Sequence, residues 1–203
     1  MKQFLNFLLE DRMLLGKSEK LTLNKGDRLI LESNDNQKKY VYGITEGIIS
    51  LNRKTEILDF LGTNQFLGLV SDENSKVHGE VLTLTATVWR LELYDVLSKV
   101  VQDDTGLLLF NKHLMNVCDN LMKKASIMRL NSTNRLLISI RNLALRFGMA
   151  SEHVGLVTLP CLFTHKVLSD YIGVQKSTMI DLLNKLAQNE KIVCSRGVIS
   201  VHV

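Results

Sequence analysis

The sequence predicts an α+β chain built as a β-sandwich or barrel, then one long helix, then a winged helix-turn-helix. Three observations predict it. Short β-rich runs punctuated by turn residues fill about Lys20 to Leu93. From Leu107 to Met128 the apolar residues change to a helical three–four spacing. Phe163 to Val193 then reads as two short helices joined by a tight turn at Gly173, with a strand–turn–strand behind them. The predicted divisions are 1–103, 104–130 and 131–203.

Length and composition agree with this. The chain has 203 residues, of which 45% are hydrophobic, enough for one large domain or two small ones. No run of 18 apolar residues occurs, so no transmembrane helix and no membrane partner are expected. The N-terminal MKQFLNFLLEDRMLL places Glu10 and Asp11 directly after its apolar part and lacks a small-residue cleavage site. It predicts an amphipathic helix with Phe4, Leu5, Leu8 and Leu15 on one face rather than a signal peptide, and a cytoplasmic protein. Cys118, Cys161 and Cys194 are far apart and form no CxxC pair. They predict reduced thiols acting as small packing residues, with no disulfide framework, zinc site or iron–sulfur cluster.

In the β-rich part, LTLNKGDRLILES gives two strands split at Asn24–Asp27. YVYGITEG, IISLN, TEILDFLG, QFLGLV, GEVLTL and ATVWRLEL follow, with Asp35–Lys39 as a polar loop. Asp103, Asp104 and Thr105 mark a helix start. The helix after them carries Leu107, Phe110, Leu114, Val117, Leu121, Lys124 and Met128 as a coiled-coil seam, with Lys124 its one charged position. Leu108, Met115 and Met122 widen the apolar face. One side is expected to cover the β domain and the seam to meet a second copy of the chain. NSTNRLLISIRNLALRFG is the next helix, with Asn131 or Ser132 as N-cap and Gly148 as its stop. Met149–Gly155 is a polar loop and Val157–Leu159 a short strand.

The helix-turn-helix carries the functional signal. Ser169 supplies the small residue needed where the helices cross, and Gly173 the left-handed turn. Leu168, Ile172, Val174, Met179 and Leu182 hold the helices together. Gln175, Lys176, Ser177 and Thr178 are left outward at the start of the second helix, with donors and acceptors suited to base edges and phosphates. Thr164 caps the first helix. Arg196, at the tip of the following hairpin, is placed near a phosphate. Charge points the same way. Residues 1–129 carry 17 Lys/Arg and 17 Asp/Glu, whereas residues 130–203 carry 8 and 4, so the whole net +4 lies in the part with the motif.

In this order of parts the chain resembles the Crp/Fnr superfamily of bacterial transcription regulators. The resemblance rests on FTHKVLSDYIGVQKSTMIDLLNKLAQNEKI, on NSTNRLLISIRNLALRFG, and on LNKGDRLI, YVYGITEGIISL and QFLGL. It implies an N-terminal jelly roll of cyclic-nucleotide-binding type and a C-terminal winged helix. It further implies a homodimer that binds a palindromic promoter site. By the same resemblance Thr164 and Thr178 match phosphate-contacting positions. Lys176-Ser177 stand where many members have Arg-Glu, and Asp181 stands where they have a later Arg. Asp181 is expected either to accept from a cytosine amino group or to cap or pair within the domain.

The departures bear on the ligand. Cyclic-AMP-binding members carry a Glu after the glycine of this segment, and here Leu69 follows Gly68. Where they carry Arg-Ser, this chain reads SKVHGEV, with Lys76 its only cation. A buried phosphate there lacks a bidentate partner. No cysteine precedes Cys118, unlike the iron–sulfur members, and His78, the one histidine of the barrel, is expected in an exposed loop. The chain looks closest to the divergent PrfA-like members, with control by something other than cyclic AMP. The expected partners are promoter DNA, a second copy, RNA polymerase and an unidentified small-molecule effector, with no cofactor, metal or catalytic residue. Two other classes are weighed. A cupin-type metalloenzyme needs clustered His and Glu ligands, which a single barrel histidine does not supply. A small-molecule sensor whose winged helix binds a protein is the remaining alternative.

Overall fold

The β-rich runs fold as a nested roll. The computed structural model describes residues 3–31, 38–69, 76–151, 155–195 and 197–203. Within them run β1 (Glu19–Asn24), β2 (Arg28–Ile30), β3 (Tyr40–Glu46), β4 (Ile49–Arg53), β5 (Glu56–Leu61), β6 (Phe66–Leu67), β7 (Val77–Val81) and β8 (Thr85–Glu92). Antiparallel pairing joins first to last and works inward: β1 with β8, β2 with β7, β3 with β6, β4 with β5. The result is two four-stranded sheets, β1-β8-β3-β6 and β2-β7-β4-β5, the arrangement of a jelly roll.

Alternation along the strands fixes which side chains meet between the sheets. In β8, Ala86 and Val88 point inward, and they pack with Leu29, Ile44, Ile49 and Val81. Ile44 and Ile49 are fully buried, each stabilising the roll by about 1.5–3 kcal/mol relative to exposure. The predicted turn after β1 is present, with the Asp27 carboxylate accepting from the Asn24 amide at 2.8 Å.

A second apolar cluster lies under the helices of the same unit. It joins Phe4, Leu5 and Leu8 of α1 (Phe4–Leu9) to Leu14 of α2 (Arg12–Lys17), and to Val96 and Val100 of α3 (Leu93–Val101). Leu109 of α4 (Asp104–Met128) completes it. The single predicted N-terminal helix is therefore corrected to two. The Asp11 carboxylate accepts from the Met13 and Leu14 amides, so Asp11 caps a new helix instead of continuing the first. The restart turns Leu14 inward and leaves Leu15 only half-buried.

Other expectations are corrected as well. His78 lies within β7, paired with Ile30 and Asn52, and is half-buried, not in an exposed loop. Of the described residues 65–69 in QFLGLV, only Phe66–Leu67 is strand. Cys118, Cys161 and Cys194 are exposed rather than buried as core packing residues. Of the predicted polar loop Asp35–Lys39, residues 35–37 lie outside the described residues, and Lys38 pairs with Glu92 at 2.7 Å.

The chain divides into two units, Met1–Asn120 and Leu121–Val203, at a point inside α4. The second unit contains α5 (Ser132–Phe147), α6 (His165–Ile172) and α7 (Lys176–Gln188). Beside them lies a small sheet of order β11-β12-β10-β9. Its strands are β9 (Met149–Ala150), β10 (Val157–Thr158), β11 (Ile192–Ser195) and β12 (Val198–Val201). Met149 and Ala150, expected in a loop, pair instead with Thr158 and Val157. Gly148, which ends α5, is needed for space: a Cβ there would collide with the Val157 side chain and the Ala144 carbonyl.

Candidate nucleic-acid interface

Thr164 opens the motif by accepting, through its hydroxyl, from the Val167 amide at 3.3 Å. α6 then runs two turns and stops at Gly173, which adopts φ 70°, ψ 49°. The amides of Gly173 and Val174 both donate to the Ser169 carbonyl, at 2.9 and 3.1 Å. This left-handed C-cap reverses the chain within three residues and aims α7 across α6. Ser169 is buried at the crossing, and its hydroxyl is satisfied by the Lys166 carbonyl at 2.8 Å. Leu168, Ile172, Met179 and Leu182 are buried around it, while Val174 is half-buried.

Two cations close the C-terminal end of α6. The Lys124 ammonium donates to the Tyr171 carbonyl and lies over the Tyr171 ring. The Arg135 guanidinium donates to the Ile172 carbonyl at 3.0 Å and to the Leu130 carbonyl at 3.1 Å. Positive charge at a helix C-terminus answers its free carbonyls and its dipole. Lys124 thus has a place inside the second unit, which corrects its reading as a charged seam position.

In α7 the buried residues Met179, Leu182, Leu183 and Leu186 fall on one face at three–four spacing. The opposite face is outward. Gln175, Lys176, Ser177, Thr178 and Asp181 are all exposed, as are Ile180, Asn184 and Lys185. Gln175 is the N-cap residue but makes no side-chain cap, so its amide points elsewhere. Sequence reasoning named the first turn and Asp181 but missed Ile180, Asn184 and Lys185. The helical period counted from Ser177 leads to each of them. An outward Ile180 is the kind of apolar contact that reads a thymine methyl.

Behind α7, β11 and β12 form a hairpin with Ser195 opposite Val198, the predicted wing. Gly197 in its turn has φ 79°. Arg196 lies outside the described residues.

The residues predicted for dimerisation lie along α4 in different surroundings. Leu107, Leu121 and Met128 are exposed, and Leu114 and Val117 are half-buried. Phe110 packs half-buried against Phe4, with ring centroids 5.5 Å apart. The most exposed apolar residues of the helix are Leu108, Met115 and Met122, at 69%, 71% and 63%. They recur every seven positions beside Leu107, Leu114 and Leu121.

No protein-family model and no curated protein matches the chain. Solved structures do match along nearly its whole length. A cyclic nucleotide-binding domain containing protein from Listeria monocytogenes EGD-e superposes with a TM-score of 0.81 at 18% identity, covering 96% of this chain and 94% of that one. The c-di-GMP responsive global regulator CLP of Xanthomonas campestris gives 0.70 at 15% identity, covering 93% and 96%. A CRP/FNR family transcriptional regulator from Thermus thermophilus gives 0.65 at 18%, covering 91% and 94%. The chain therefore has the fold of the Crp/Fnr regulators. Among the described residues no helix is long and apolar enough to cross a membrane, and no group of three His, Cys, Asp or Glu is placed to hold a metal ion.

Proposed function

We propose that the chain is a sequence-specific DNA-binding transcription regulator that acts as a homodimer on a palindromic promoter site. The observation that carries this reading is the outward face of α7. A fixed left-handed turn at Gly173 presents Gln175, Lys176, Ser177, Thr178 and Asp181 together, exposed, on one short helix start. A helix of this kind enters the major groove by its N-terminal end, and the wing behind it reaches the backbone. The net +4 of residues 130–203 supplies the attraction to phosphate.

The dimer reading is supported by the apolar stripe along α4, where Leu107, Leu108, Met115, Leu121 and Met122 stand exposed at heptad spacing. Burying the stripe between two copies removes it from water and supplies two recognition helices for two half-sites. Control by cyclic AMP is disfavoured by the lining of the roll. The cluster between the sheets is apolar. Arg28 and Arg90 turn outward to Glu80 and Glu19 at 3.2 and 2.7 Å, so neither offers a guanidinium to a buried phosphate.

Selection of bound duplexes from random DNA tests the reading. It is expected to return an inverted repeat with half-sites about one helical turn apart. Return of no sequence, together with capture of duplex that does not depend on salt, would favour the alternative in which the winged helix binds a protein.

A further inference from the structure

One cavity in the first unit is lined mainly by a single face of α4. Leu109, Lys112, His113 and Asn116 border it at the spacing of one helix face, and Gln3, Phe4 and Asn64 close the other side. Its volume is about 250 Å³. That lies below the roughly 300–1,000 Å³ typical of pockets for drug-sized ligands, so a guest must be small.

The lining has a definite chemistry. It contains one ammonium, from Lys112, and three carboxamides, from Gln3, Asn64 and Asn116, but no carboxylate. Asn64 is held in place. Its backbone is left-handed, at φ 64°, and its amide donates to the Ile44 carbonyl at 2.8 Å. The next residue ties the same turn, with the Gln65 side-chain oxygen accepting from the Gly62 amide at 2.8 Å. The floor is apolar, from Phe4 and Leu109.

His113 is the unusual member. It is 9% exposed, and its ring stands 6.0 Å from the Phe4 centroid and 5.3 Å, edge-on, from that of Phe66. Its Nε2 is buried and has no hydrogen-bond partner among the described residues. Burial also holds the imidazole below its ordinary pKa, so the ring is neutral at physiological pH. An unpaired buried polar atom is costly, and a guest that offers it a partner recovers that cost.

We propose that this cavity binds a small monocarboxylate with an apolar body. Lys112 and the three carboxamides supply the positive charge and N–H donors that a carboxylate accepts from. Phe4 and Leu109 receive the apolar part, and the neutral imidazole, with its proton on Nε2, donates to the carboxylate. The α4 residues of the cavity are distinct from the exposed stripe Leu107, Leu108, Met115, Leu121 and Met122 on the same helix, so the site is open in a dimer built on that stripe.

The test uses the full chain with ¹⁵N-labelled histidine, following the imidazole signals during titration with sodium benzoate and sodium propionate. Sodium chloride at equal ionic strength is the control. His113 is identified from the signal lost in His113→Gln. Benzoate is expected to move the His113 signals saturably, propionate more weakly and chloride not at all. Lys112→Met is expected to weaken benzoate at least tenfold. Asn116→Leu, on the same face, is the second variant and is expected to weaken it in the same direction. The proposal is overturned if neither carboxylate moves the His113 signals beyond chloride, or if both variants bind benzoate as the parent does. The readout is an imidazole signal and not DNA affinity, so this result is independent of the regulator reading.

Discussion

Under the proposed regulator function, Lys176 and Arg196 are assigned two different tasks, reading base edges and anchoring to phosphate. Lys176 sits exposed at the first turn of α7, the part of a recognition helix that meets base edges in this kind of motif. Lys176→Ala is expected to cost roughly 1–3 kcal/mol on the selected site and less on scrambled duplex. Arg196→Ala, between Ser195 and Gly197 in the chain, is expected to weaken both duplexes alike and to lower the salt slope by about one. Fluorescence anisotropy with both duplexes distinguishes them, and equal weakening by Lys176→Ala would make Lys176 a phosphate contact. His113 gives a prediction of a different kind. Its folded pKa is depressed by burial, so the unfolded chain takes up the proton first as pH falls. Stability should therefore drop on acidification below the ordinary histidine range of about 6.5, and remain unaffected above it. Urea midpoints at pH 7.5 and 5.5 are expected to differ more for the parent than for His113→Phe. An equal difference in both would place the titration elsewhere.

At the scale of elements, Gly173 is the residue on which the helix-turn-helix depends. A Cβ added there would meet only the Met128 side chain at 3.6 Å, an ordinary contact. The cost of Gly173→Ala is therefore conformational, about 1–2 kcal/mol for an alanine held left-handed, and thermal unfolding should register it. A negligible loss would mean that the turn relaxes to another geometry. This element was legible in the sequence because its demands are local: a hydroxyl cap at Thr164, a small residue at Ser169, a glycine at the turn. The strands from β1 to β5 and the cap at Asn131 were legible for the same reason. What was not legible depended on tertiary contacts. α3 was not anticipated, because Tyr94, Leu97 and Val101 are apolar yet exposed and blur the spacing of buried Val96 and Val100. His78 entered a strand because Ile30 and Asn52 flank it from distant positions in the chain. The destination of Lys124, the Tyr171 carbonyl 47 residues away, leaves no trace in a heptad count. In the site, the outward polar start of α7 was foreseen, whereas Ile180 was passed over because apolar residues are expected inside.

For the whole molecule, a jelly roll, a 25-residue helix and a winged helix-turn-helix stand in one chain, and the helix carries an apolar stripe that water disfavours. Leu114→Glu combined with Leu121→Glu places like charges along that stripe. The double variant is expected to sediment as a monomer and to lose affinity for the inverted repeat by far more than for a single half-site. An intact dimer would remove this interface from the account. Sequence specificity is the central claim, and one titration tests it most directly. The full chain is titrated with its selected inverted repeat and with a scrambled duplex of equal length, across about 50–200 mM salt. The account predicts that both affinities fall steeply with salt and that the repeat is bound at least about 10³-fold more tightly throughout. Equal affinity for the two duplexes, or affinity indifferent to salt, would contradict it.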